Sequence, residues 1–331
     1  MSAHSALRIG TRGSPLALAQ TGHVIARLAE LHPRLGEPRA VETVVISTTG
    51  DRVRNELLSD LGGKGLFTKE LDEAMLDGRI DIAVHSMKDM PSLLPEGIAA
   101  HAVMPREDPR DAFISNKSKD MAGLPAGARV GTASLRRSAQ VRRARPDLSV
   151  VPLRGNVDTR LRKLDAGEVD ATFLAVAGLR RLGKEAVITQ AVPVHDMLPA
   201  VGQGALCATC RTGDLQADTL LETLAEAEVT ACVMAERAML AALNGSCRTP
   251  IAGHAVIDPP GELTLKGMIA CPDGSEMVAD EAAGPAAEAE GIGAGLARTL
   301  LAGAGPALVR AIAESQERVT AVHPDLARER S

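Results

Sequence analysis

Apolar and polar positions along the chain switch between a strand-like and a helix-like period. Leu7 to Thr11 and Val41 to Ser47 read as short strands. Between them, apolar residues recur at Leu16, Ala19, Val24, Leu28 and Leu31, the spacing of one helix face. Ser14 followed by Pro15 gives that helix a start signal, a hydroxyl N-cap and then proline at the first position. Phe67 to Leu76 predicts an amphipathic helix, and Ile80 to Val84 a buried strand.

The pattern then repeats. Arg8-Ile9-Gly10-Thr11-Arg12-Gly13-Ser14 is echoed by Arg129-Val130-Gly131-Thr132-Ala133-Ser134. Leu76-Asp77-Gly78-Arg79-Ile80-Asp81-Ile82-Ala83 is echoed by Asp165-Ala166-Gly167-Glu168-Val169-Asp170-Ala171. Two α/β lobes of similar topology with mainly parallel sheets follow from this alternation. The chain is expected to cross between them near His101 to Pro109 and to return near Val194 to Gly204. From about Glu226 the character changes to a small α+β domain. Its parts are a helix over Glu228 to Leu243, a polar loop over Asn244 to Thr249, and strands near Ile251 to Ile257, Leu263 to Ala270 and Glu276 to Ala279. Helices follow near Ala286 to Leu301 and Pro306 to Ala313, with a frayed tail from Gln316. The expected units are residues 1–104 with about 204–224, residues 105–203, and residues 225–331.

Charge sharpens this picture. The net charge is −5, yet Arg129 to Lys184 holds 13 Lys or Arg against 5 Asp or Glu. One basic lobe in an acidic protein points to an anionic small molecule rather than nucleic acid. The chain has no Trp or Tyr and only Phe67, Phe113 and Phe173, too few aromatics for base stacking. No run approaches a membrane span and no secretory signal opens the chain, so a cytoplasmic protein without a membrane partner is expected.

Candidate chemistry gathers at strand ends. Two helices begin at Ser14 and Ser134, with Arg12 and the pair Arg136-Arg137 beside those starts. A helix start presents unpaired N–H groups suited to carboxylate or phosphate. Each motif alone also reads as simple capping; facing one cleft, the two suit a shared anionic ligand. Leu153-Arg154-Gly155-Asn156 opens another helix that carries Arg160, and Arg180-Arg181 ends a further helical turn. Gly62-Gly63-Lys64-Gly65 is not a P-loop, since no Ser or Thr follows Lys64. His85-Ser86-Met87-Lys88-Asp89 continues from a strand. No nucleophile elbow accompanies it, so a Ser-His-Asp hydrolase is disfavoured.

Of five cysteines, Cys207 and Cys210 lie in an apolar run with no histidine at ligand spacing, so they read as buried structural thiols and no metal is expected. Cys207 is nevertheless a second thiol candidate for the cleft. Cys232 falls on a core helix face, and Cys271 precedes a turn. Cys247, in Asn244-Gly245-Ser246-Cys247-Arg248-Thr249, sits in a polar turn beside a cation that favours its thiolate.

Taken in order, Arg12-Gly13-Ser14-Pro15-Leu16-Ala17, Gly62-Gly63-Lys64-Gly65-Leu66-Phe67, His85-Ser86-Met87-Lys88-Asp89, Ser134-Leu135-Arg136-Arg137, Leu153-Arg154-Gly155-Asn156, Ala200-Val201-Gly202-Gln203-Gly204 and Gly245-Ser246-Cys247 resemble the signature segments of the hydroxymethylbilane synthase (porphobilinogen deaminase) family. The resemblance spans about Leu7 to Gly253 and is loose beyond it. It implies two lobes like those of periplasmic binding proteins plus a small third domain. It also implies a monomeric transferase of tetrapyrrole biosynthesis that deaminates four porphobilinogens and joins them head to tail into hydroxymethylbilane. A dipyrromethane cofactor would prime the chain through a thioether to Cys247.

The family's roles carry over onto matching positions. Asp89 would be catalytic, as a charge stabiliser for passing cations or as a proton carrier. Ser86, Lys88, Thr132, Ser134, Arg136, Arg137, Arg154 and Gly155 would hold the cofactor. Arg12, Ser14, Gln20, Lys64, Phe67, Arg154, Arg160, Arg181 and Gln203 would bind substrate. Porphobilinogen that loses ammonia becomes an electrophilic azafulvene, which explains a thiolate anchor. Its acetate and propionate side chains explain the arginines. A non-catalytic, two-lobed anion-binding protein is the competing interpretation, and it needs neither Asp89 nor Cys247.

Overall fold

A computed structural model of the chain describes residues 6–52, 66–243, 250–259 and 261–320. The first lobe opens with β1 (Leu7–Arg12), α1 (Pro15–Leu31), β2 (Val41–Ile46), α2 (Thr49–Arg52), α3 (Lys69–Leu76), β3 (Ile82–Ser86) and β4 (Ile98–Val103). The second holds β5 (Asp111–Ser115), β6 (Arg129–Gly131), α4 (Leu135–Ala144), β7 (Ser149–Val151), α5 (Val157–Asp165), β8 (Ala171–Ala175), α6 (Val176–Arg181) and β9 (Gln190–Ala191). The chain then returns to the first lobe as β10 (Leu206–Arg211) and α7 (Leu215–Glu222).

Both sheets have five strands, in the orders β2-β1-β3-β10-β4 and β7-β6-β8-β5-β9. The first three strands of each order pair in parallel, as the sequence echo requires. The other two pairings in each sheet are antiparallel, so the sheets are mixed rather than mainly parallel. The cause is topological. β5 and β10 each arrive from the opposite lobe at the cleft end of a sheet and must run back down it.

The echoed segments fold alike. Arg8 N–H donates to Asp81 Oδ2 at 2.9 Å, and Asp81 N–H donates to Arg8 O at 2.8 Å. In the second lobe Arg129 N–H donates to Asp170 Oδ2 at 2.6 Å, and Asp170 N–H to Arg129 O at 2.8 Å. Each arginine also donates to the carbonyl of the preceding turn glycine, Gly78 or Gly167, at 2.6 Å. Apolar residues fill both faces of each sheet. Ile9, Val24, Leu28 and Val84 lie on one face of the first and Leu71, Met75 and Ile80 on the other; Phe113, Val130 and Phe173 cover one face of the second.

The third domain stacks α8 (Ala227–Ala242) and α9 (Ala289–Gly303) on an antiparallel sheet of β11 (Ile251–Asp258), β12 (Glu262–Ala270) and β13 (Met277–Pro285). The helices touch at Gly293, where a Cβ would lie 2.1 Å from Ala235 O, so only glycine permits this approach. β13 runs to Pro285, six residues past the strand expected at Glu276 to Ala279, because β12 pairs with it throughout. The final helix, α10 (Pro306–Thr320), stays helical past Gln316, where the sequence suggests fraying. Among the described residues no helix is long and apolar enough to cross a membrane.

Candidate active site

The site forms where the ends of β3 and β8 face each other across the two connections between lobes. β3 runs straight into a single 3-10 turn, Met87–Asp89. Met87 is buried and its N–H donates to Ala205 O at 3.1 Å, which pins the turn to the returning chain. Lys88 and Asp89 are thereby held at the sheet's edge, half-buried. His85 points the other way. Its Nε2 lies 3.2 Å from Thr209 Oγ1, and burial, helped by Arg12, lowers its imidazole to about 4. It is a neutral core histidine, which removes the Ser-His-Asp arrangement.

Opposite stands α4. Ser134 caps it by accepting from Arg137 N–H at 3.4 Å, while Thr132 Oγ1 accepts from Ser134 N–H at 3.1 Å. This geometry sends Arg136 and Arg137 inward, 4% and 5% exposed. Both converge on Asp111, the fully buried first residue of β5. Arg136 Nη1 donates to its Oδ2 at 2.7 Å, and Arg137 Nη2 to its Oδ1 at 2.6 Å. Gln203 Nε2 adds a bond to Oδ1 at 3.1 Å. Burial alone would raise the Asp111 carboxyl, but the two guanidinium charges hold it well below the usual carboxylate range. Asp111 is not legible in the sequence. At a strand start it resembles an ordinary turn residue, and its partners are 25, 26 and 92 positions away.

α5 completes the wall. Asn156 caps it, accepting from Thr159 N–H at 2.9 Å. Gly155 takes φ +116°, and a Cβ there would sit 2.5 Å from Thr159 Cγ2, so the tight entry requires glycine. Arg160 Nε donates to Gly155 O at 2.8 Å. Burial, then repulsion from Arg137 and Arg154, lowers Arg160 to about 10 against the pull of Asp89. Burial likewise lowers Lys88 to about 8; Arg137 and Arg136 add to this, and Asp89 and Asp111 oppose it.

These mutual influences tie Lys88 and Asp89 of one lobe to Arg136, Arg137, Arg154 and Arg160 of the other. Five cations face two carboxylates, and Asp111 is already committed. The side chains of Lys88, Asp89 and Arg154 make no hydrogen bond or ion pair with any described residue. The buried Nε atoms of Arg136 and Arg154 also lack partners. Such donors suit a ligand rich in carboxylates, and the dipyrromethane group is of that kind.

Other expected residues lie elsewhere in the cleft region. Arg12 pairs with Asp51 and stacks on Phe67, its guanidinium carbon 4.2 Å from the ring centroid. Ser14 caps α1 by accepting from Ala17 N–H at 3.2 Å, and Gln20 Nε2 donates to Ser86 Oγ at 2.8 Å. Arg181 donates to Gly204 O at 2.7 Å, bracing the return connection. Cys207 is not a cleft thiol. It is buried on β10 against Met87, Met90 and Val233, and burial pushes it up to about 12. Lys64 and Cys247 lie outside the described residues. The strand that follows Cys247, β11, packs Ala252 against Ala139 of α4, behind the arginine pair.

A second buried carboxylate was also missed. Glu236 of α8 is wholly buried and accepts from Arg106 at 2.6 Å, Gly202 N–H at 2.6 Å and Ala255 N–H at 2.8 Å. It therefore joins both inter-lobe connections to the third domain. An alanine-rich helix gave no sign of it.

Comparison with known proteins adds the lineage. The family profile described as "Porphobilinogen deaminase, dipyromethane cofactor binding domain" matches residues 7–219, and that of the porphobilinogen deaminase C-terminal domain matches residues 230–302. The second match extends the resemblance well beyond Gly253. A chloroplastic porphobilinogen deaminase of Oryza sativa subsp. japonica is 51% identical over 281 residues, 85% of this chain and 78% of the relative. A periplasmic substrate-binding protein of an ABC transporter from Coxiella burnetii aligns with 66% of this chain and 91% of its own, at 16% identity and a TM-score of 0.40. A nutrient-binding protein from Burkholderia cenocepacia, solved with methionine, covers 65% of this chain and 90% of its own, at 13% identity and a TM-score of 0.39. With its cofactor-binding and C-terminal parts both matched, this chain belongs to the porphobilinogen deaminase family.

Proposed function

We propose that Lys88, Asp89, Arg136, Arg137, Arg154 and Arg160 form the centre at which this chain carries out the family's reaction. The enzyme is a transferase of tetrapyrrole biosynthesis that deaminates porphobilinogen and joins four units into hydroxymethylbilane. Each condensation forms one carbon–carbon bond and releases one ammonia. The bound dipyrromethane supplies the pyrrole carbon at which the product chain starts, and Cys247 would hold it through a thioether.

The cations divide into two sets. Lys88 and Arg154 are uncommitted and would bind acetate and propionate groups directly, with Arg160, Ser86, Thr132, Ser134 and Gly155 around them. Arg136 and Arg137 are fixed by Asp111 and present a rigid positive wall, so carboxylates meet preorganised donors. Arg12, Phe67, Ser14, Gln20, Lys64, Arg181 and Gln203 would serve arriving substrate. Asp89 faces the positive charge that develops when ammonia departs, stabilises it, and takes up the proton that the attacking pyrrole carbon loses.

One observation supports this assignment above the others: Asp89 is the uncommitted carboxylate amid those cations. An anion-binding protein without catalysis would gain affinity by lacking it. The Asp89→Asn variant tests the point. It should fold normally and lose turnover by about 10²-fold or more, measured as product formed per enzyme. Near-normal turnover removes Asp89 from the mechanism.

The same proposal takes residues 1–104 with about 204–224, 105–203 and 225–331 as the working units. It takes the chain as a cytoplasmic monomer acting on a small molecule and not on nucleic acid. The net charge of −5 and the four free thiols among the described residues support this.

A further inference from the structure

We propose that His101, Cys210 and Asp218 form a binding site for one divalent cation of the zinc class on the outer side of the first lobe, away from the reaction centre. His101 stands on β4 and Cys210 on the neighbouring β10. Because Ala208 pairs with His101, Cys210 lies two residues further along β10 on the same face. Asp218, in the first turn of α7, closes over both. Their three donor atoms lie within 4.8 Å of one another.

The separations suit a metal better than they suit hydrogen bonds. His101 Nε2 is 2.9 Å from Asp218 Oδ1, yet it has no aligned hydrogen-bond partner and is buried. Cys210 Sγ is 4.0 Å from the same oxygen, too long for a strong bond. Zinc bonds of about 2.0–2.3 Å place tetrahedral ligand atoms roughly 3.3–3.6 Å apart. Two of the three separations, 2.9 and 4.0 Å, bracket that range, and the third lies within 4.8 Å, so side-chain rotations bring the set together. The donor set, one imidazole, one sulfur and one carboxylate, is that of a borderline-soft cation rather than calcium or magnesium.

The surroundings agree. The neighbouring Asp214 is already paired with Arg211 at 2.5 Å, which leaves Asp218 as the available carboxylate. Cys210 is buried, but Asp218 is 39% exposed, which gives an ion an entry path and a fourth position for water. On binding, the Cys210 thiol proton passes to solvent and the thiolate joins the ion. β4 leads into the first inter-lobe connection and β10 emerges from the second, so an ion here would tie together the two strands that feed the hinge.

The test uses the full chain carrying its cofactor, dialysed against chelator and titrated with cobalt(II) as a coloured stand-in for zinc. The expected result is one equivalent bound, with a near-ultraviolet thiolate-to-cobalt band that zinc(II) abolishes by competition. Cys210→Ser should lose the band. Asp218→Asn, at a partly exposed position that folding tolerates, should keep the band but weaken affinity at least tenfold. A wild-type protein that binds no equivalent, a band that survives in Cys210→Ser, or unchanged affinity in Asp218→Asn would each overturn the proposal.

Discussion

Arg8 and Arg129 stand at equivalent places in the two lobes, and so do Asp81 and Asp170, and Ser14 and Ser134. The strand orders match, and β3 and β8 end at equivalent residues, Ser86 and Ala175. The lobes part at the residue facing those ends. In the first lobe the facing strand starts with Leu206; in the second it starts with Asp111. A buried leucine needs only packing. A buried carboxylate needs counter-charge, and here it draws in Arg136, Arg137 and Gln203. The same scaffold thus yields one lobe that offers a carboxylate, Asp89, and one that offers a fixed bank of arginines. The cleft is asymmetric because of that exchange.

Making the second lobe like the first should cost the most. Asp111→Leu copies Leu206 but strands two buried guanidinium groups. It should destabilise the protein by about 3–5 kcal/mol, read from urea unfolding midpoints. A loss below about 1 kcal/mol would mean that the arginines do not depend on Asp111. Next come the paired scaffold carboxylates. Asp81→Asn and Asp170→Asn should each cost about 1–3 kcal/mol, because each carboxylate also holds a second cation, Arg211 at 3.2 Å and Lys117 at 2.5 Å. A negligible effect at either position would break the equivalence. The smallest effects belong to the helix caps. Ser14→Ala and Ser134→Ala should each cost about 1 kcal/mol in thermal or chemical unfolding, and a difference between them larger than that would show that one cap does more than cap.

Much of this was legible in the sequence, and the reason is range. Ser14, Ser134 and Asn156 act on residues three positions away, so residue type and spacing reveal them. The echo marks the segments of Arg8 and Asp81, and of Arg129 and Asp170, as repeats, but that each pair clasps across 73 and 41 positions only the fold shows. Asp111 and Glu236 are stated once, and their partners are remote. Glu236 meets Arg106 across 130 positions, so its place in an alanine-rich helix said nothing of full burial. The antiparallel insertion of β5 and β10 was hidden for a similar reason. Strand composition reveals a strand, but the order of strands depends on where the connection returns. The apolar run around Cys207 reads as burying a structural thiol, and the structure buries it; its cleft-side alternative falls because alternate residues of a strand point to opposite faces, and only the sheet's position shows which face meets the cleft.

A covalently primed pyrrole polymerase in this cleft would carry its primer on the protein itself. The most direct test is the intact mass of the purified protein, followed by mapping of the peptide that contains Cys247. The expected result is a mass gain equal to two linked pyrrole units, located on that peptide. An unmodified Cys247, still unmodified after incubation with porphobilinogen, would contradict it.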